Sequence, residues 1–459
     1  MSFDSPIFFV FFLVVFGVLR LFPKWAGPIL LLASIVFYSM AGPLDLGLVV
    51  CVVILNYALS FLVAKNGKWL WGVVIANISI LAFFKYRHFF FPELAVQFQD
   101  FYQTEILIPL GISFYIFQAI AYQADLATGR TTLIRSPWHF ALFILLFAQV
   151  IAGPIIRANI LEPQVSRAYS GRLQGRRIWS IGLGLCVLGL LKKVGLADSI
   201  APYVDNVFSL GPANILTAWI GAVLFGFQIY FDFSGYSDIA VGAGYLLGFK
   251  LPMNFRQPYL AIGPQEFWKR WHITLSTWIR DYIYIPLGGS KGDSSFKLFL
   301  ILLVTMGLAG LWHGSNWTFI VWGILWAFYI FIWRLINVEN KSANYFHWYA
   351  HILIVSLLWV FFRAANLEEA LKYISVMLGF NAYGNYSIYS SMIGAALNII
   401  IVITLYVTHY GEYKLTSFSN FIKLKKLDGP LLWGLLTGLV FWMAIYPKPN
   451  NNPFIYFRF

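Results

Sequence analysis

Apolar runs long enough to cross a bilayer recur along the whole chain, and they dictate its fold class before any motif is considered. A helix needs about 20 apolar residues to span a hydrocarbon core of roughly 30 Å. Runs of this kind occupy residues 6–22, 26–41, 45–63, 68–84, 178–196, 214–233, 298–314, 317–334, 349–363, 389–411 and 430–446. Inside lipid every backbone N–H and C=O must find its partner within the protein, and for runs of this length only helices provide that. Charged residues make up 11% of the chain, where a soluble chain would carry roughly 25%. The expected fold is therefore all-α: a polytopic membrane protein of roughly 11–12 transmembrane helices, with re-entrant and amphipathic helices on the cytoplasmic side. The first run lacks a basic leader and a small-residue cleavage site, so it reads as a retained helix. Cys51 and Cys186 both sit inside apolar runs, which supports neither a disulfide framework nor a zinc site. The 32 Lys and Arg outnumber the 19 Asp and Glu. In a polytopic chain that surplus belongs to cytoplasmic loops rather than to a nucleic-acid surface.

Loop charge sets the orientation. Arg20 and Lys24 follow the first run, and Lys65 and Lys68 follow the third, so these loops are expected inside and the N-terminus outside. Arg130 and Arg135 precede the apolar segment 137–156, and Arg157, Arg167, Arg172, Arg176 and Arg177 follow it. Both groups belong inside, yet a full crossing would separate them. The parity conflict predicts that 137–156 enters and returns, turning near Gly153-Pro154. Irregular backbone at membrane depth survives only inside protein or beside a wet cavity, so a cavity is expected too. The organisation reads as one membrane domain over 1–459. It comprises N-terminal helices over 1–104, a catalytic core over 105–335 and C-terminal helices over 336–459.

Within that core, Gly307-Leu-Ala-Gly-Leu-Trp-His-Gly-Ser-Asn-Trp317 places His313 in a long apolar run. An intramembrane histidine is costly and normally faces a bundle interior or a wet cavity. Gly307, Gly310 and Gly314 share a helical face and leave room for another backbone or a substrate. Trp312 and Trp317 are expected to wall the imidazole, with Asn316 as nearby support. A neutral imidazole there could activate a hydroxyl or receive an acyl group. The segment 250–297 reads as an amphipathic layer at the membrane surface. A single helix Gln265 to Ile283 is expected in it, with Lys269, His272, Ser276 and Arg280 along one face. Such a face suits an anionic ligand, and Arg270 and Asp281 flank it. Asp232 and Asp238 need a partner at membrane depth, expected from the basic layer. His88, His139, His347, His351 and His409 read as interfacial or structural. The chain holds no two-carboxylate hydrolase spacing, nucleophile elbow, H-E-x-x-H or P-loop, and no metal site is expected.

Several stretches together resemble the membrane-bound O-acyltransferase family, in its bacterial polysaccharide O-acetyltransferase branch. They are Pro109-Leu-Gly-Ile-Ser-Phe-Tyr115, Ala152-Gly-Pro-Ile155, Phe231-Asp-Phe-Ser-Gly-Tyr-Ser237, Asn254-Phe-Arg-Gln-Pro258, Phe267-Trp-Lys-Arg-Trp-His-Ile-Thr-Leu-Ser-Thr-Trp278, Arg280-Asp-Tyr-Ile-Tyr-Ile-Pro-Leu-Gly-Gly289 and Gly310-Leu-Trp-His-Gly314. Ala309 is a departure, since relatives often carry glycine there. The resemblance implies helices around a central tunnel or funnel, His313 as the catalytic histidine and His272 as a second conserved polar position. It implies that Lys269, Arg270 and Arg280 hold donor phosphates or a docking partner. It further implies an acyl-thioester donor (acetyl-coenzyme A or an acyl carrier) from the cytoplasm, with no bound cofactor. The expected acceptor is an exported alginate- or peptidoglycan-type polymer, reached through a periplasmic serine-hydrolase-like partner, at a bacterial inner membrane. Rival expectations are D-alanyl-type transfer to a cell-wall polymer, a transporter that moves its cargo without chemistry, and a scaffold whose histidines are structural.

Overall fold

The structure is a computed structural model. It describes residues 3, 5–90, 108–150, 153–173, 179–289, 294–336, 345–380, 403, 405, 407, 409 and 410. The expected spans 430–446 and most of 389–411 lie outside the described residues. Seven described helices are long and apolar enough to cross a membrane: Pro43–Lys65, Gly67–Tyr86, Trp179–Leu210, Ile215–Leu247, Ser295–His313, Trp317–Leu335 and Tyr345–Arg363. Pro6–Leu21 and Pro23–Ser39 form a pair bent by 114° and raise the count to eight if taken as one span. The sequence reading of two separate spans there is thus replaced by a sharp bend at Phe22-Pro23.

The chain divides into two compact units. Met1–Gly189 with Tyr236–Met253 form one, and Leu190–Gly235 with Asn254–Phe459 form the other.

In the first unit, amide side chains tie apolar helices together. Asn56 and Asn77 exchange reciprocal hydrogen bonds of 3.0 Å, and Gln123 donates to the Asn56 carbonyl at 2.8 Å. Bonds of this kind substitute for the hydrophobic drive that lipid removes. The helix Pro137–Leu145 is capped by Ser136, which accepts from the His139 amide, and it stops at Leu146. Its freed Phe143 carbonyl accepts from Gln118 at 2.9 Å and Gln149 at 2.6 Å, while Ser34 accepts from the Phe147 amide at 3.1 Å. Even with its short continuation to Gln149, this segment is about 20 Å long at 1.5 Å per residue, too short to cross. Gly153 then lies against the Gln149 backbone, where a Cβ would collide. Beyond it, Ala158–Tyr169 returns as an amphipathic helix. Tyr169 donates to the Trp138 carbonyl at 3.2 Å and its ring covers Gly27, while Gly171 (φ +69°) rests on Lys24. The start of the 137–156 segment and the far end of the helix that follows it therefore meet beside Lys24.

In the second unit, glycine sets the closest helix approach. Ser295–His313 and Trp317–Leu335 pack as a hairpin. A Cβ on Gly310 would strike the Phe319 carbonyl, and one on Gly323 would strike the Met306 carbonyl. Of the two uses left open for the small residues, backbone contact is the one realised. Gly307 has open space where its Cβ would go. The helix beginning at Ile215 also runs farther than expected: it continues to Leu247 rather than ending at 233. At 1.5 Å per residue it is about 50 Å long, and Asp232 and Asp238 lie inside it, both buried.

Gly310→Ala is expected to destabilise the purified protein by about 1–3 kcal/mol, because the obstructing atom is backbone and cannot move aside. Gly307→Ala should change stability by less than about 1 kcal/mol. Thermal unfolding of both variants in detergent checks the contrast, and equal losses would contradict the packing described.

Candidate functional site

His313 is the last residue of the Ser295–His313 helix, which ends because Gly314 is extended (φ −172°, ψ 160°). Asn316 then starts the next helix by accepting from the Thr318 amide at 3.1 Å, and its own amide donates to the Ala365 carbonyl at 2.8 Å. The residue expected as site support is thus a helix cap that fixes the turn beside His313. Three rings stand edge-on to the His313 imidazole: Trp312 at 4.9 Å, Phe362 at 5.0 Å and Trp322 at 5.1 Å between centroids. The imidazole is 3% exposed. Trp317, expected in this wall, is 59% exposed, and Trp322 and Phe362 stand at the imidazole. A helix C-terminus carries partial negative charge, which favours an imidazole that takes up a proton during a reaction.

His272 lies at a break. The expected helix Gln265 to Ile283 is instead two short helices, Pro264–Arg270 and Ile273–Ile279, followed by a wider turn Arg280–Tyr284. Trp271 is extended, and His272 adopts a left-handed backbone (φ 39°, ψ 58°). For a non-glycine residue that conformation costs about 1–3 kcal/mol and persists only where the surroundings enforce it. Asn254 provides much of that enforcement. Its carbonyl accepts from the Ile273 amide at 2.8 Å and its side chain accepts from the Thr274 hydroxyl at 2.6 Å, while the Arg256 amide donates to the Arg270 carbonyl at 2.9 Å. Ser276 donates to the Trp271 carbonyl at 2.8 Å, so it secures the break.

The single cationic face with His272 in it is therefore not formed. Its imidazole is fully buried, against Phe233 at 4.6 Å, Trp312 at 5.9 Å and the face of Phe255 at 6.3 Å. Burial pushes its pKa down to about 3, so it is neutral at physiological pH and offers one donor and one acceptor nitrogen. Lys269 and Arg280 lie on the outside. Arg280 pairs with Asp281 at 2.8 Å. Arg270 is held by Glu266, with its Nε at 2.9 Å from the carboxylate, and Glu266 also accepts from the Ile262 amide at 3.0 Å.

Trp312 brings the two histidines into one site, since its indole borders both rings. Asp232 also finds its partner nearby, although not in the basic layer. Lys193, 1% exposed, approaches Asp232 at 2.6 Å and Asp198 at 2.7 Å. Lys192, also buried, places its ammonium 5.9 Å from the Tyr230 ring. The signal for these lysines was present as Leu190-Leu-Lys-Lys-Val194 within an apolar run. His351, expected to be structural, bonds the Tyr329 hydroxyl at 2.8 Å. Among the described residues no group of His, Cys, Asp and Glu could hold a metal.

Two buried imidazoles at one aromatic wall, with exposed cations nearby, suit proton transfer to and from an uncharged reacting group. Comparison with known proteins identifies the family. The profile of the MBOAT, membrane-bound O-acyltransferase family, matches residues 59–363. The chain is 38% identical over 396 residues to a protein named probable alginate O-acetylase from Azotobacter vinelandii, covering 83% of this chain and 78% of that one. It is 35% identical over 427 residues to a peptidoglycan O-acetyltransferase of Helicobacter pylori, covering 83% of this chain and 80% of that one. A teichoic acid D-alanyltransferase of Bacillus subtilis is 26% identical over 296 residues, covering 61% and 72%.

The depressed His272 pKa has a stability consequence with a definite sign. Between about pH 3 and pH 6.5 the unfolded chain takes up a proton at His272 that the folded chain refuses. The contribution is fully present above about pH 6.5 and is lost progressively as the pH falls towards 3. Thermal stability in detergent should therefore drop on acidification from pH 7.5 to 5, and His272→Gln should flatten that drop. An unchanged slope in the variant would contradict a buried neutral imidazole.

Proposed function

This chain belongs to the membrane-bound O-acyltransferase family, and from that premise we propose that it moves an acetyl group from a cytoplasmic thioester across the inner membrane for O-acetylation of an exported polysaccharide. It is an integral membrane acyltransferase. The alginate- and peptidoglycan-acetylating relatives support acetyl as the group and a cell-envelope or exopolysaccharide as its destination. Their match extends over 83% of this chain, against 61% for the D-alanylating relative.

His313 is the general base in this reading. Its imidazole takes the proton of an acceptor hydroxyl as the oxygen attacks the thioester carbonyl. A C–O bond forms, the C–S bond breaks, and the proton passes to the departing thiolate. His272, neutral and held at Trp312, positions the thioester or relays the proton. Lys269 and Arg280, being exposed, are the cations best placed for donor phosphates of acetyl-coenzyme A or an acyl carrier. Arg270 is engaged with Glu266 and acts in the architecture of the break. A periplasmic partner of the serine-hydrolase type receives the acetyl group and passes it to the polymer.

The observation that carries this reading is the shared Trp312 wall, which puts two buried histidines from separate helices into one apolar site. Removing a general base typically costs about 10²–10⁴-fold in rate. His313→Ala is expected to reach wild-type levels in the membrane while polymer O-acetylation falls to background, measured as ester-bound acetate. Normal acetylation in that variant would refute the assignment.

A further inference from the structure

The buried Lys193 cluster takes no part in the chemistry described above, yet a charge at membrane depth is expensive enough to need a reason. Lys193 lies in a wide helical turn, Leu191–Ala197, with the i→i+5 bonding of a π-helix. Such turns occur frequently at functional sites. The wide turn directs two successive lysines inward. Lys193 then bridges two helices, meeting Asp198 on its own and Asp232 on Ile215–Leu247.

Asp232 stands in the turn of helix that reaches the site. Phe233, the next residue, sets its ring edge against His272 at 4.6 Å and against Phe255 at 5.0 Å. Tyr230, beneath the Lys192 ammonium, packs on Phe255 at 5.8 Å and Trp271 at 6.3 Å. The rings that brace the strained break at Trp271-His272 therefore come from the stretch of helix that Lys193 pins. A rotation of that helix would carry Phe233 away from the imidazole.

We propose that Lys193 is a positioning residue for acyl transfer: its ion pair with Asp232 sets the rotation of the Ile215–Leu247 helix, and through Phe233 this fixes the orientation of His272. The Asp198 contact lies within one helical segment and does not reach the site, so it stabilises the lysine without steering the histidine. The claim rests on His272 taking part in the transfer.

The test compares Asp232→Asn with Asp198→Asn in the full-length protein, reading polymer O-acetylation in the host alongside membrane level and melting temperature in detergent. Each removes one carboxylate from the same lysine, so a merely structural role predicts activity losses that track lost stability in both. The proposal predicts acetylation within about twofold of wild type for Asp198→Asn, but a fall of about ten- to a hundredfold for Asp232→Asn, the scale of a small misplacement of a reacting group. Phe233→Leu, which leaves every charge in place, should show the same fall. Near-normal acetylation in Asp232→Asn, or losses in both asparagine variants proportional to their melting temperatures, would overturn the proposal. His272→Ala is run in parallel. If it stays active, the role of His272 fails and positioning fails with it. If it is inactive while Asp232→Asn is active, the positioning claim alone fails.

Discussion

Burying an ammonium group among apolar helices costs several kcal/mol unless carboxylates and good geometry offset it. Lys193 meets that requirement with two aspartates, and the arrangement around it follows from the need to satisfy both. One aspartate comes from its own helical segment and the other from Ile215–Leu247, so the two helices are locked in register by charge rather than by shape alone. Apolar helices in lipid have no hydrophobic drive to choose one rotation over another. A buried ion pair does choose, because any other rotation strands a charge. The aromatic rings on the chosen face then have fixed places, and among them are those that hold Trp271-His272.

The same logic explains why the site is aromatic. Phe233, Phe255, Trp312, Trp322 and Phe362 stand around two imidazoles that burial leaves almost or wholly out of contact with solvent. Burial keeps the His272 imidazole neutral in these surroundings. The cations of this region stand apart from it. Lys269 and Arg280 are outside, and Arg270 is tied to Glu266. The exposed cations and the buried imidazoles thus occupy different environments.

Much of this was legible in the sequence, and the rest failed for identifiable reasons. Long apolar runs betray membrane helices because a helix satisfies its own backbone in lipid, and the conflict between basic loops singled out 137–156, where the described helix Pro137–Gln149 is too short to cross. His313 stood out because a histidine beside glycines in an apolar run has few explanations. The break at His272 was hidden, since Phe267 to Tyr282 keeps a helical period on both sides and no proline or glycine marks the interruption. The break is imposed by Asn254, which is distant in sequence. Asp232 was seen to need a partner, but Lys193 could not be paired with it from spacing alone. Gly310 was read as leaving room for another backbone or a substrate, and only the position of the facing Phe319 carbonyl decides for the helix contact.

The central claim is that acetyl itself crosses by chemical transfer, and reconstitution tests it most directly. The purified chain, in sealed proteoliposomes, receives radiolabelled acetyl-coenzyme A on its cytoplasmic face, with the periplasmic serine-hydrolase-type partner and its hydroxyl acceptor on the other. The account predicts release of free thiol together with labelled O-acetyl ester on the acceptor side, both absent with the His313→Ala protein. An intact thioester, with acceptor or acyl cargo moving across unmodified, would contradict it and make the protein a transporter.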